Sequence, residues 1–119
     1  MRTKSSHAEA LALRDYVEEV ATAFGVEASA TWHEYGPPSA AYVALADRTP
    51  AGRFLMLQWD SETGWCLAVE PEGVEPPVVL ATWPERVFPT PAELAGDVRR
   101  ALPVTLPVRV PGGERPCAR

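Results

Sequence analysis

Large apolar residues alternate with smaller or polar ones on both sides of a short turn in the stretch FLMLQWDSETGWCLAVE, residues 54–70. Successive side chains of a β-strand point to opposite faces of the sheet, so this pattern predicts an antiparallel hairpin. Asp60 is suited to start its turn, and Gly64 can adopt the positive φ that closes it. If Trp59 pairs with Trp65, one face carries six large apolar side chains: Leu55, Leu57, Trp59, Trp65, Leu67 and Val69.

The six-residue apolar face is expected to form the core, and the opposite face is mixed and expected to be half-exposed. That second face presents Phe54, Met56 and Gln58 on the first strand of the hairpin. We predict that a partner protein binds there. We predict that Trp83 also contacts the partner, because it ends a later strand just before a proline and is expected to be partly exposed.

Apolar residues recur at helical spacing before the first strand. Leu13, Val17 and Val20 form one stripe, which predicts a helix that buries this face. The sequence Ser6-His7-Ala8-Glu9 fits a capping box, so the helix is expected to begin there and to end near Phe24, before Gly25.

A second helix is predicted near the end of the chain. Thr90-Pro91-Ala92-Glu93 is another capping box, with proline at the first helical position, where its missing N–H has no cost. Leu94 and Val98 continue the apolar stripe. The helix is expected to end at about Leu102, because Pro103 follows.

Three further strands are predicted at residues 27–35, 41–45 and 78–83, so the order is one helix, five strands and one helix. This order indicates an α+β fold, with an N-terminal helix, a five-stranded and mainly antiparallel meander sheet, and a C-terminal helix. Both helices are expected to pack on one sheet face. Residues 1–102 are predicted to form a single domain, followed by an extended proline-rich tail, 103–119, as an edge strand or a disordered arm.

The charge and composition of the chain argue against several classes of protein. The chain has 119 residues and a formal net charge of −5, which argues against a nucleic-acid-binding surface. No apolar run is long enough to cross a bilayer, and the N-terminal residues do not resemble a signal peptide. The two cysteines, Cys66 and Cys117, lie in unlike segments, which favours a reducing, cytoplasmic setting over a disulfide framework.

The sequence contains no recognisable catalytic motif, phosphate loop or dinucleotide fingerprint, and we predict no catalytic residue, no metal site and no cofactor. Thr31, His33 and Tyr35 alternate along one predicted strand and could together line a ligand patch. A solvated strand face is the favoured interpretation of these three residues. Four tryptophans are many for this length and could form an aromatic pocket, although Trp59 and Trp65 are better explained as a cross-strand pair in the core.

Four stretches stand out in order along the chain: HAEALALRDYVEEVATAFGV, AAYVALADR, LMLQWDSETGWCLAVE and PPVVLATW. Over about residues 7–100 they resemble a family of short actinobacterial proteins of unknown function, with the tryptophan-flanked hairpin as the most specific piece. The resemblance implies an actinobacterial, cytoplasmic protein. It implies no activity, cofactor or catalytic residue.

Two functions of different classes fit these observations. The first is a non-enzymatic intracellular binding or adaptor domain that acts through protein–protein contacts and self-associates, with a homodimer as the simplest form. The alternative is a small-ligand sensor or cryptic enzyme, with an aromatic-lined pocket between the sheet and the helices. Neither nucleic acid nor a membrane is expected as a partner.

Overall fold

A computed structural model describes residues 2–105 and 115–116, and the side chains of residues 7–102. Its elements follow in chain order: α1 (Arg2–Ala23), a 3₁₀ turn (Ala28–Ala30), β1 (Thr31–Glu34), β2 (Ala40–Arg48), β3 (Phe54–Asp60), β4 (Gly64–Val69), β5 (Val78–Trp83), α2 (Pro91–Thr105) and β6 (Arg115–Pro116).

The strands form one antiparallel sheet in which each strand pairs with the next in sequence. The prediction of an α+β fold with a five-stranded meander between two helices is therefore confirmed. A two-residue strand, β6, adds to the β5 edge opposite Val78 and Val79.

The central hairpin has the predicted register, with Trp59 opposite Trp65, Leu57 opposite Leu67 and Leu55 opposite Val69. Its turn also forms as expected. The Asp60 carboxylate accepts a hydrogen bond from the Glu62 backbone N–H at 2.6 Å, and Gly64 has a φ of 81°.

The core lies between this face of the sheet and the two helices. All six predicted residues of the hairpin are at most 4% exposed. The helices cover them with side chains that join the same apolar cluster: Leu13, Val17, Val20, Leu94 and Val98, with Phe24 partly buried beside them. Both helices therefore pack on one sheet face, as predicted. Among the described residues, no helix has the length and apolar character that crossing a bilayer requires.

Several predicted boundaries are wrong. α1 begins at Arg2, so Ser6 lies within the helix and the capping box there is not its start. The strand predicted at 27–35 is shorter, because a 3₁₀ turn occupies Ala28–Ala30 and leaves Thr31–Glu34 for β1. Strand β2 extends beyond the predicted 41–45 and runs from Ala40 to Arg48, where it pairs with β3.

The C-terminal helix begins as predicted but ends later. Thr90 Oγ1 accepts from the Glu93 N–H at 3.1 Å, and Glu93 Oε1 accepts from the Thr90 N–H at 3.0 Å, so the capping box is formed. The helix continues through Pro103 to Thr105, although an interior proline removes one backbone donor and disfavours the preceding turn. The predicted tail lies outside the described residues, apart from 103–105 and β6.

Candidate functional site

Four aromatic rings pack together at one end of the interface between α1 and the sheet. The rings of Trp59 and Trp65 lie 6.3 Å apart, which confirms the predicted cross-strand pair. Phe88 contacts Trp59 at 5.2 Å and Tyr16 at 5.4 Å, and Tyr16 also contacts Trp65 at 6.3 Å. We call these four residues the aromatic cluster. It joins α1, the central hairpin and the segment between β5 and α2.

Hydrogen bonds fix the polar ends of these rings. Trp65 Nε1 donates to the Tyr16 hydroxyl at 3.1 Å, and that hydroxyl donates to the Pro89 carbonyl at 2.6 Å. Trp59 Nε1 donates to the Val87 carbonyl at 2.7 Å. Burial raises the pKa of Tyr16, and the hydrogen bond from Trp65 opposes that rise. The cluster thereby holds the segment before α2 against the sheet.

A cavity of about 460 Å³ opens beside the aromatic cluster. We call it the aromatic pocket. Its floor is formed by Leu13 and Trp59, which are 6% and 3% exposed. Tyr16 and Phe88 line its wall on one side. The remaining lining residues come from α1 and from the turns that end β1 and β3: Glu9, Ala12, Tyr35, Ser39 and Ser61.

The mouth of the aromatic pocket is built by side chains that solvent reaches. Phe88 is 62% exposed and Tyr35 is 42% exposed. The Tyr35 hydroxyl donates a hydrogen bond to Glu9 Oε1, which connects α1 to the end of β1. This bond to a carboxylate raises the pKa of Tyr35. A carboxylate therefore lies at the entrance of a cavity whose walls are largely aromatic and apolar.

The two serines of the pocket hold its turns together. Ser39 is 8% exposed, and its hydroxyl donates to the Gly36 carbonyl at 2.8 Å. Ser61 Oγ accepts from the Ser39 N–H at 3.0 Å, and the Ser61 N–H donates to the Ser39 carbonyl at 2.9 Å. These contacts fix the β1–β2 and β3–β4 turns to each other, so the lining is held in place on that side.

Of the three residues that the sequence suggests as a ligand patch, only one lines the aromatic pocket. Tyr35 lines it, whereas Thr31 and His33 lie farther along β1, opposite Val43 and Ala41. Both residues face the helix side and are half-buried. The Thr31 hydroxyl donates to the Ala28 carbonyl at 2.7 Å, which ties it to the 3₁₀ turn.

The predicted partner-binding residues divide between the two sheet faces. Phe54 is 43% exposed, and Arg48 lies over its ring at 4.1 Å. Gln58 is half-buried on the same outer face. Trp83 pairs with Trp65 instead and packs against the core from the helix-covered face, so it does not join the other residues.

Met56 corrects the expectation that the outer face is half-exposed throughout, because it is only 3% exposed. Its neighbour across the hairpin, Ala68, is fully buried. The Tyr42 hydroxyl on β2 donates to Glu70 Oε2 just beyond β4, at 2.5 Å. This bond joins residues that flank β3, so the Tyr42 side chain passes over the strand near Met56.

A second candidate surface runs across the outer face. Five directly paired residues, one from each of β1 to β5, form a continuous line: Trp32, Tyr42, Gln58, Cys66 and Thr82. We call this line the outer row. It lines a shallow groove of about 790 Å³. Trp32, at the β1 end of the row, is 51% exposed.

Sequence reasoning missed three contributors to the aromatic pocket: Glu9, Tyr16 and Phe88. The sequence pattern places Glu9 in a helix cap and Tyr16 within the first predicted helix. Phe88 lies in a Phe-Pro segment outside every predicted element. The only sequence feature that points to a role for Phe88 is the presence of a large aromatic residue in a loop. Within the described part of the chain, no group of three His, Cys, Asp or Glu side chains is arranged to hold a metal ion.

Comparison with known proteins gives one match. A model of a family of unknown function, DUF6292, matches residues 16–100, which include strands β1 to β5 and all four residues of the aromatic cluster. No curated protein and no solved structure matches the chain. The match does not establish an actinobacterial origin, which stays a prediction. Because the family model covers most of the sequence, the chain belongs to the DUF6292 family of unknown function.

Proposed function

We propose that the protein is a non-enzymatic binding domain that associates with a second copy of itself through the outer sheet face, in the cytoplasm. The observation that carries this proposal is the outer row, in which five neighbouring strands place uncharged side chains in one line. The half-exposed indole of Trp32 at the end of the row supplies an aromatic anchor of the kind enriched at protein interfaces.

Charge favours a second copy as the occupant. The chain has a net charge of −5, so most of its surface repels another copy. The outer row is different, because its five side chains carry no charge, and Asp60, the charged residue that lines its groove, has its carboxylate bonded to the Glu62 N–H. Two acidic chains can approach most closely where neither presents an unpaired charge.

The size of this face indicates a weak association. Five strands about 4.8 Å apart and roughly six residues long cover on the order of 500 Å². Stable dimers bury about 800 Å² on each partner. We therefore expect a dimer whose population rises with protein concentration.

Sedimentation equilibrium over a range of concentrations tests the proposal. The wild-type protein is expected to approach the mass of a dimer at high concentration, and Trp32→Glu is expected to remain a monomer. Val74→Glu adds the same charge at a fully exposed loop residue and serves as the matched control. A wild-type protein that stays monomeric, or an equal response of the two variants, contradicts the proposal. Met56 is unsuited to this test because it is buried.

A second function, binding of a small ligand, is favoured by the aromatic pocket. Ligand sites commonly have volumes of about 300–1,000 Å³ and combine apolar walls with a few polar groups, as this pocket does. A thermal-shift screen with metabolites tests this function, because a ligand that binds only the folded state raises the melting temperature. Stabilisation by one chemical class supports a ligand-binding protein, and an unchanged melting temperature across the screen contradicts it.

A further inference from the structure

We infer that the aromatic pocket binds a small organic ammonium ion, with the Glu9 carboxylate opposite its charge and the rings of Tyr16, Tyr35 and Phe88 around it. This inference rests on the second function proposed above, the binding of a small ligand, and names the chemical class of that ligand. It assigns no role to the outer row, so the two surfaces can be tested separately.

The charge of the pocket selects a cation. Among the described residues that line the pocket, Glu9 is the one with an ionisable carboxylate, and no lysine or arginine accompanies it. The aromatic faces are negative, because ring quadrupoles concentrate electron density above and below the ring. Both features attract a cation, and an anionic ligand would meet the Glu9 carboxylate at the entrance.

The apolar lining distinguishes an organic cation from a metal ion. Calcium and magnesium need six or more oxygen ligands, whereas this pocket offers one carboxylate and a few hydroxyl groups. The Tyr16 hydroxyl and the Ser39 hydroxyl are engaged with backbone carbonyls at 2.6 Å and 2.8 Å. An alkylated ammonium ion instead presents methyl or methylene groups to the walls, and aromatic residues are the usual partners of such ions.

The rings are held in position before any ligand arrives. Two hydrogen bonds fix the Tyr16 hydroxyl, and Phe88 rests against the rings of Tyr16 and Trp59. On the opposite side, the hydrogen bond to Glu9 fixes Tyr35. Binding therefore requires little ordering of side chains, which preserves affinity for a small ligand. A carboxylate has more acceptor capacity than this one bond uses, so Glu9 can also face a cation.

Choline and its neutral isostere, in which a tert-butyl group replaces the trimethylammonium group, provide a pair of probes with nearly equal shape. Each is titrated into the full-length protein, and binding is followed by the indole N–H resonances of the tryptophans. Choline is expected to bind more tightly than the isostere and to shift the Trp59 resonance. Glu9→Gln is expected to weaken choline binding up to about fivefold and to leave the isostere unchanged, since an ion pair at an exposed residue such as Glu9 has at most about this strength.

Two further variants keep the test specific. Glu19→Gln removes an exposed carboxylate farther along α1 and is expected to leave both affinities unchanged. Phe88→Leu keeps an apolar side chain but removes a ring, and it is expected to weaken choline binding more than isostere binding. Equal affinity for the two probes, or an unchanged choline affinity in Glu9→Gln, overturns the inference. If other compounds stabilise the protein but choline does not bind, the ammonium inference alone fails. If no compound in the metabolite screen binds either, the ligand-binding function fails with it.

Discussion

Tyr42 and Glu70 form a hydrogen bond across the outer face of β3, with the phenol donating to the carboxylate at 2.5 Å. Burial, and to a smaller extent the hydrogen bond to the Glu70 carboxylate and its charge, together raise the pKa of Tyr42 from 10.0 to about 12. The bond links β2 to the residue that follows β4, and it accompanies the burial of Met56 between them.

The raised pKa of Tyr42 predicts a loss of stability in alkali. A folded-state pKa above the unfolded value stabilises the fold fully below pH 10, and this contribution disappears as the pH rises from 10 to about 12. The free energy of unfolding, measured by urea denaturation, should therefore fall more steeply over this range in the wild-type protein than in Tyr42→Phe. Equal slopes for the two proteins would contradict the prediction.

Glu70→Gln separates the two causes of that pKa shift. Burial is the larger cause, so removing the carboxylate charge should lower the pKa of Tyr42 but leave it above 10. The near-ultraviolet absorbance of ionised tyrosine reports the titration directly. Tyr35 offers a contrast in the same experiment. Its pKa is raised chiefly by the hydrogen bond to Glu9, so Glu9→Gln should lower it.

The parts of the fold that follow from local periodicity could be predicted from the sequence. The register of the central hairpin depends on the alternation around Asp60 and Gly64, because a slip of one residue would exchange its two faces. The start of α2 depends on Thr90 and Glu93, which lie three residues apart. Each of these features involves residues close in sequence.

The features that could not be predicted depend on contacts between distant residues. Met56 is buried on strand β3, and the hydrogen bond that spans this strand joins Tyr42 and Glu70, which are 28 residues apart. The aromatic cluster is fixed by a hydrogen bond from Tyr16 to the Pro89 carbonyl, 73 residues away. The spacing of apolar residues and the residues of the turns indicate which face a side chain occupies. They do not indicate which distant segment covers that face.

Leu57 tests the core directly. It lies at the centre of the hairpin and is fully buried, so Leu57→Ala should reduce the free energy of unfolding by about 2–5 kcal/mol. Gln58→Ala, the next residue on the same strand but on the outer face, should cost less than about 1 kcal/mol. Chemical denaturation measures the free energy of unfolding of both variants. Similar losses in the two would contradict the assignment of Leu57 to the core face and Gln58 to the outer face.

Asp97 joins α2 to the segment before it. Its carboxylate accepts from Arg86 at 2.7 Å and from Arg100 at 2.5 Å, and the residue is 8% exposed. Asp97→Asn should therefore lower the free energy of unfolding by about 1–3 kcal/mol, because hydrogen bonds between charged groups are lost at a buried position.

The two arginines should differ in importance. Arg86 lies outside the helix and also contacts Glu93 at 3.2 Å, whereas Arg100 lies one turn along α2 and its side chain is 74% exposed. Arg86→Gln should destabilise the protein more than Arg100→Gln, since exposed pairs within a helix contribute little. The melting temperatures of both variants, measured under the same conditions, test this prediction. A larger decrease for Arg100→Gln than for Arg86→Gln would contradict it.

Gly64 is required for two independent reasons, and a second glycine separates them. Its φ of 81° disfavours any residue with a side chain. In addition, a Cβ atom placed there would lie 2.9 Å from the backbone carbonyl oxygen of Trp83 and 3.4 Å from that of Arg86. Gly52 has a similar φ of 88° but open space around it. Gly52→Ala should therefore cost about 1 kcal/mol, from backbone strain alone.

Gly64→Ala should cost more than Gly52→Ala by on the order of 1–3 kcal/mol, the usual range for an overpacked site. The excess arises because backbone atoms at the end of β5 and just after it must move away from the β3–β4 turn. Urea denaturation gives the two losses. The indole resonance of Trp59, which donates to Val87 in the neighbouring segment at 2.7 Å, should shift in Gly64→Ala alone. Equal costs for the two variants would mean that the segment yields without strain, and that the turn depends on φ only.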